Sequence, residues 1–320
     1  MCTCIAWRQY FGRNLDLEYS YGEEICVAPR NLPFRFRHVP PMNRHYAMIG
    51  MAYVTGELPL YYDAVNEKGL CMAGLNFPDN ACYYPLDPQK ENITPFELLP
   101  WILGQCSCVE EALELLQTCN LLEESFSPQL PLTPLHWMLA DPNRCVVLET
   151  LVDGIKIMDN QIGILTNSPP FPWHLQNLAN YQRLTNGPVP ERFCGQPVHT
   201  YSRGLGAVGL PGDLSSSSRF VRAAFARNCA EAEPGEQSLT QFFHLLHAVE
   251  QQRGCVELSP GVYEITRYSS CCDMERGIYY VTTYDNPQIR AVDLHRENLE
   301  GTSVFCYKTL QHLNINWLNL

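Results

Sequence analysis

The chain has 320 residues, a net charge of −12 and 22 basic side chains against 34 acidic ones. That balance leaves no basic stripe to neutralise phosphates, which excludes nucleic acid as a natural partner. With 46% hydrophobic and 18% charged residues the composition is that of an ordinary globular protein. No apolar run approaches the roughly 18 residues of a membrane span, so no stable membrane insertion is expected.

The 15 cysteines are odd in number and scattered, unlike a disulfide framework. Met1-Cys2-Thr3-Cys4 leads into Trp7-Arg8-Gln9, not into an apolar stretch with a small-residue cleavage site, so no secretory signal is expected. A cytoplasmic location follows as the expectation, with most thiols acting as small buried apolar groups. No repeat, low-complexity tract or linker interrupts residues 1–320, which are read as a single domain.

In chain order, strands are expected at Ile5 to Trp7, Glu24 to Ala28, Tyr46 to Val54 and Leu70 to Asn76. Residues 3–8 and 10–17 are candidates to pair as a hairpin. Thr94-Pro95-Phe96-Glu97 carries a capping box with proline at the first helical position, and Pro100 should bend or interrupt the helix that follows. Ser107 and Glu110 form a second box ahead of the apolar stripe Ala112, Leu113, Leu115 and Leu116. A meander comes next, His136 to Ala140 and Cys145 to Thr150 around Asp141-Pro142-Asn143-Arg144, then the turn Asp153-Gly154 and a strand from Ile155 to Met158. Helices are predicted from Ser218 to Cys229 and from Ser238 to Gln251, and closing strands at Gly277 to Thr283, Ile289 to Asp293 and Ser303 to Tyr307. Segregated strands and helices with tight hairpin turns make an α+β layout with antiparallel sheets.

Cys2 is the first chemical candidate. Removal of Met1 would give one residue both a thiol and an α-amine whose reference pKa, about 7.7–8.0, leaves a neutral fraction able to take a proton. Arg13 and Asp16 lie at the matching end of the hairpin, where a guanidinium favours a thiolate and a carboxylate can orient an amine; the alternative is an ion pair at a strand end. Asn76 and Asn167 each end an apolar strand next to proline, as oxyanion donors or as turn residues. Arg219 falls in the first turn of a helix, where it opposes the macrodipole, so it needs a charged partner or a role in the site. Gly204-x-Gly206-x-x-Gly209 matches a dinucleotide fingerprint but has no strand before it and Pro211-Gly212 after it. Cys106-x-Cys108, Cys271-Cys272 and the pair His244 and His247 lack the spacing of metal sites.

Taken together, Met1-Cys2-Thr3, Tyr10-Phe11-Gly12-Arg13-Asn14-Leu15-Asp16, Asn66-Glu67-Lys68-Gly69-Leu70, Ala73-Gly74-Leu75-Asn76-Phe77-Pro78, Leu135-His136-Trp137, Leu165-Thr166-Asn167-Ser168-Pro169, Gly209-Leu210-Pro211-Gly212-Asp213 and Glu275-Arg276-Gly277-Ile278-Tyr279-Tyr280 resemble the choloylglycine hydrolase family. That family holds bile salt hydrolases and penicillin V acylases of the N-terminal-nucleophile superfamily, and asparagine at position 76 points to the bile-salt branch. The resemblance implies a four-layer αββα sandwich with two antiparallel sheets, a homotetramer, and no metal or organic cofactor. It implies Cys2 as nucleophile with its own α-amine as base, Arg13 and Asp16 tuning thiol and amine, and Asn76 with the following backbone N–H at the oxyanion. Asn167 would position the amine and Arg219 would complete the polar shell. The implied substrates are glycine- or taurine-conjugated bile salts, with the steroid against Phe77 to Tyr84 and Leu130 to Leu135. The alternatives are a penicillin V acylase or other N-acyl amidase, and a non-catalytic amphiphile-binding member. Two departures stand out. Trp7-Arg8-Gln9-Tyr10 lacks Gly, Asn and Asp, which shortens the first hairpin, and an odd shift there would move Arg13 and Asp16 to the wrong faces. Cys4, in place of the usual glycine, would put a second thiol within reach of a mixed disulfide.

Overall fold

A computed structural model describes residues 1–56 and 58–319. Six strands come first: β1 (Cys2–Trp7), β2 (Tyr10–Leu17), β3 (Glu24–Ala28), β4 (Met48–Thr55), β5 (Leu58–Asn66) and β6 (Cys71–Asn76). A short parallel pair, β7 (Glu91–Ile93) and β8 (Cys119–Leu121), brackets helices α1 (Leu98–Gln105) and α2 (Val109–Leu116). Then follow β9 (Leu135–Ala140), β10 (Cys145–Leu151), β11 (Gly154–Asp159), β12 (Ile164–Leu165) and α3 (Phe171–Asn177). The small ribbons β13 (Arg192–Phe193) with β14 (Gln196–Pro197), and β15 (Glu257–Ser259) with β16 (Val262–Tyr263), flank α4 (Ser216–Cys229) and α5 (Glu236–His247). The chain ends in β17 (Ile265–Asp273), β18 (Ile278–Thr283), β19 (Asn286–Asp293) and β20 (Phe305–Lys308).

The strands sort into a six-stranded sheet, β12-β1-β2-β17-β18-β19, and an eight-stranded sheet, β11-β10-β9-β6-β5-β4-β3-β20, both antiparallel. Alternation along each strand decides which layer a side chain joins. Ile25, Val27, Ile49, Cys71, Ala73 and Met138 enter the core shared with β1, β2 and β17, whereas Cys26, Ala28, Met48, Met72 and Leu139 face α1 and α2. Phe220, Phe242 and Leu246 of α4 and α5 cover the other sheet, completing the αββα order. β5, with Pro59 near its start, and β17, whose buried run mixes Thr266, Ser269 and Ser270 with the Cys271-Cys272 pair, were not apparent in the sequence.

Two helix starts differ from expectation. Thr94 and Glu97 do bond, Oγ1 to Oε2 at 2.6 Å, but Thr94 to Glu97 form a turn and α1 begins at Leu98. Pro100 therefore falls in the first turn, where its missing N–H is one of the groups that lack a helical partner anyway, and the helix runs through it unbroken. At α2, Ser107 bonds Glu111 rather than Glu110, and the first N–H, Val109, is capped by Asp141 Oδ2 at 2.8 Å.

Gly12 is required by the approach of β2 to β17: a Cβ there would meet the Ser270 carbonyl and sit 2.9 Å from Cys271 Cα, all backbone that cannot swing away. Gly12→Ala should cost about 3 kcal/mol, the upper end of overpacking, and a lowered Tm with unchanged oligomeric state would register it. On the opposite edge, Cys26 and Cys306 are directly opposed in β3 and β20, with Sγ atoms 3.1 Å apart and Cys306 exposed. The oxidant diamide should join these two thiols first, with loss of two hydrogens. Peptide mapping after alkylation will locate the link, and Cys306→Ser will lack it.

Candidate active site

The first hairpin turns in two residues, Arg8 and Gln9, with Trp7 opposite Tyr10 and Cys4 opposite Arg13. Arg8 takes φ of +54°, a left-handed conformation unusual for a side-chain residue. It is held by a 2.7 Å bond from Nη1 to the Ala232 carbonyl and by stacking on Trp7. The short hairpin thus keeps an in-register pairing. Cys2, Cys4 and Arg13 share the face between the sheets, and Asp16 lies on the face toward α4 and α5.

Cys2 is 3% exposed at the start of β1. Arg13 Nη2 donates to its Sγ at 2.5 Å, while Nη1 donates to the carbonyls of Tyr62 (3.1 Å) and Gly74 (2.5 Å) across the gap in the other sheet. Burial works against the Arg13 charge, but the surrounding Cys2, Tyr268 and Asp63 outweigh it and hold the guanidinium protonated. Asp63 accepts from Tyr268 (2.7 Å), Ser270 (2.8 Å) and Tyr279 (2.8 Å) in full burial, which raises its pKa against the pull of Arg13. Sequence reasoning missed Asp63; the signal was a lone acid inside the apolar strand Leu58–Asn66.

The nitrogen side of Cys2 is equally defined. Its N–H donates to Asn167 Oδ1 at 2.9 Å, and Asn167 Nδ2 donates to the Asn76 carbonyl at 2.7 Å. Arg219, fully buried on α4, donates to Asn167 Oδ1, Thr3 Oγ1 and the Cys2 carbonyl, each at 2.6 Å. Its Nη1 lies 4.0 Å from Asp16 Oδ2, the charged partner its position called for. Burial lowers the Arg219 pKa and the Asp16 charge opposes that. The Asp16 carboxylate itself accepts from Thr266 Oγ1 at 2.6 Å, whereas its main chain meets Met1, whose amino group donates to the Asp16 carbonyl (2.8 Å) and pairs with Glu264 (2.9 Å). Burial raises the Glu264 pKa and the amino group opposes that.

Four expectations need correction or refinement. Asn76 is at the site, but through its carbonyl; its side-chain Oδ1 is buried without a partner, so the amide is uncommitted. The backbone N–H after it is not free, since Phe77 N donates to the Pro134 carbonyl at 2.8 Å. Phe77 is fully buried, stacked on His136 with centroids 4.2 Å apart, and is core rather than a ligand wall. The neighbouring loops are laced together instead by Tyr83, which donates to the Thr133 carbonyl and accepts from Leu135 N. Cys4 is fully buried, and burial pushes its thiol well up, so it is poorly placed to exchange with a soluble disulfide.

Other features stand apart from this centre. A cleft of about 930 Å³ lined by Arg30, Met42, Trp101 and Glu67 lies on the α1 side, away from Cys2. Cys108, Glu110 and Asp141 offer ligand atoms within 4.8 Å of one another, but both Asp141 carboxylate oxygens already accept backbone N–H bonds.

Two antiparallel sheets face to face between helical layers, with Cys2 at the start of a central strand beneath a ring of fixed donors, define the N-terminal-nucleophile hydrolase fold. Residues 2–307 match the family described as linear amide C–N hydrolases, choloylglycine hydrolase family, and the chain belongs to it. It is 50% identical over 312 residues to a bile salt hydrolase/transferase of Lactiplantibacillus plantarum, covering 96% of each chain. It is 39% identical to the bile salt hydrolase/transferase of Clostridium perfringens over the full length of both. The crystal structure of the C2A mutant of conjugated bile acid hydrolase from Clostridium perfringens superposes with a TM-score of 0.93 at 38% identity, covering 100% of each chain. A penicillin V acylase from Agrobacterium tumefaciens shares the fold, with a TM-score of 0.75 at 20% identity over 95% of this chain and 90% of its own.

Proposed function

We propose that the chain hydrolyses the amide bond of glycine- or taurine-conjugated bile salts with the Cys2 thiol as nucleophile. The observation that carries this reading is the double hold on one residue: Arg13 on the sulfur and Asn167 on the nitrogen of Cys2. Loss of Met1 turns that nitrogen from an amide into an amine, still facing Asn167 and close to the carbonyl and carboxylate that bind the Met1 amino group. The amine takes the thiol proton as sulfur attacks the substrate carbonyl. Negative charge on the carbonyl oxygen is met by the uncommitted side-chain amide of Asn76, with Asn167 Nδ2, held beside it by its bond to the Asn76 carbonyl, as the second donor. The amine then protonates the leaving nitrogen, the C–N bond breaks, and water cleaves the acyl thioester. Asp16 and Arg219 act one step back, by fixing the strand end and Asn167.

No helix among the described residues is long and apolar enough to cross a membrane. A cytoplasmic location is part of the proposal, supported by 15 cysteines that are all unpaired. A homotetramer is likewise proposed. What supports it is the exposed region around β13–β14, where Phe193 and Tyr201 are 72% and 87% exposed, an arrangement suited to contact with another copy.

The test is release of free glycine and taurine from glycocholate and taurocholate by reduced protein whose intact mass shows Met1 absent. Release from either conjugate is expected. Folded, Met1-free protein that leaves both intact while cleaving phenoxymethylpenicillin would overturn the bile-salt assignment.

A further inference from the structure

The segment carrying Asn167 is gripped from beneath by a buried hydrogen-bonding couple outside the shell described above. His136 on β9 and Glu149 on β10 are both fully buried, with Nδ1 and Oε1 3.3 Å apart. His136 Nε2 donates to the Thr166 carbonyl at 3.0 Å, and Glu149 Oε1 accepts from Phe171 N at 2.8 Å. The Thr166 carbonyl can only accept, so Nε2 carries a proton. His174 completes the grip, donating from Nε2 to the Asn167 carbonyl at 2.9 Å; burial lowers its pKa and keeps it neutral. The main chain from 166 to 171 is thus anchored at three points by ionisable side chains. The His136 ring also stacks on Phe77 at 4.2 Å and 7°, next to Asn76. One ring therefore touches both the Asn76 strand end and the Asn167 loop.

We infer that His136 and Glu149 are positioning residues, which set the spacing between Asn76 and Asn167 and hence the hold of Asn167 on the Cys2 nitrogen. Stability alone does not account for the couple. Glu149 Oε2 is buried with no partner, and a buried polar pair left imperfectly satisfied is commonly no better than an apolar pair of the same volume. Neither side chain bonds to Cys2, so neither is a nucleophile or its base. What they fix is geometry, to which rate is steeply sensitive.

This inference rests on the role proposed for Asn167, and its test separates the two. His136→Phe keeps a flat ring against Phe77 and removes both nitrogens. Expected is a fall in kcat on the order of 100-fold with KM for glycocholate changed by no more than about threefold. His136→Gln, whose amide nitrogen reaches toward the Thr166 carbonyl, should recover most of that loss. Should His136→Phe fail to fold, the nearly isosteric Glu149→Gln carries the test with an expected kcat loss of about tenfold. Wild-type kcat in a folded His136→Phe or Glu149→Gln protein overturns the inference. A crystal structure of the variant adds a readout independent of substrate, since Asn167 Oδ1 should sit farther from the Cys2 nitrogen than the present 2.9 Å. If wild-type protein releases neither glycine nor taurine, the bile-salt reading fails, and that distance still decides the positioning role.

Discussion

Replacing Cys2 with alanine will abolish amide hydrolysis, with kcat lowered by roughly four orders of magnitude or more, while the fold persists. The substitution removes a single Sγ at a site walled by strands whose pairing does not depend on it. Arg13 loses one of its three acceptors and keeps the Tyr62 and Gly74 carbonyls, so the stability cost should stay within about 1–2 kcal/mol. The same logic makes processing decisive. With Met1 in place the Cys2 nitrogen is an amide N–H committed to Asn167, and the amino group sits one residue away against Asp16 and Glu264. An amide has no basic lone pair to accept the thiol proton. A non-cleavable N-terminal fusion should therefore be folded and inactive, and the same protein tagged at the other end active. Near-wild-type turnover in either Cys2→Ala or the fusion would rule out an N-terminal nucleophile.

Arg219→Met will cost more in stability than any other substitution at the site. The guanidinium is fully buried and donates to the Leu214 and Cys2 carbonyls, Thr3 Oγ1 and Asn167 Oδ1. Methionine fills similar volume and offers no donors, leaving those acceptors unmet and the Asp16 carboxylate buried without its nearest cation. Breaking a buried pair from one side costs about 3–5 kcal/mol. At this chain length that corresponds to a fall in Tm on the order of 10 °C, readable by thermal unfolding of the Met1-free protein. Arg219→Lys should recover little, because one ammonium replaces a planar fork that reaches four acceptors from fixed positions. Activity should fall with it, since Asn167 loses one of the two donors that orient its Oδ1. An unchanged Tm would mean that these groups are satisfied by water, and the tight shell around Cys2 would be wrong.

Much of this arrangement was legible before any coordinates. Cys2 stood out through chemistry at one position, a thiol next to a removable methionine. The pairing of residues 3–8 with 10–17 was readable because it is local, and a hairpin of two-residue turn needs only its own strands. The strand end at Asn76, the capping pair Thr94 and Glu97 and the helix around Arg219 were likewise carried by neighbours within a few residues, whereas β12 ends at Leu165, two residues short of Asn167. Their boundaries were less certain, as the start of α1 four residues later than its capping box shows.

What only the tertiary structure decided is which of these local features meet. Asn167 and Arg219 lie 165 and 217 residues from Cys2, and no period or motif encodes that they converge on its nitrogen and carbonyl. Arg13 spans two sheets to reach Tyr62 and Gly74, a contact that exists only once the sheets pack. Asp63 lay in a strand the sequence did not show, and no role was read for His136 or Glu149, because an acid or histidine between apolar neighbours looks like an ordinary residue on an exposed face until that face is seen to be covered. Local sequence specifies backbone conformation through interactions between near neighbours. The burial that turns these polar groups into an ordered site comes from packing the two sheets and α4 together, and is a property of the assembled fold.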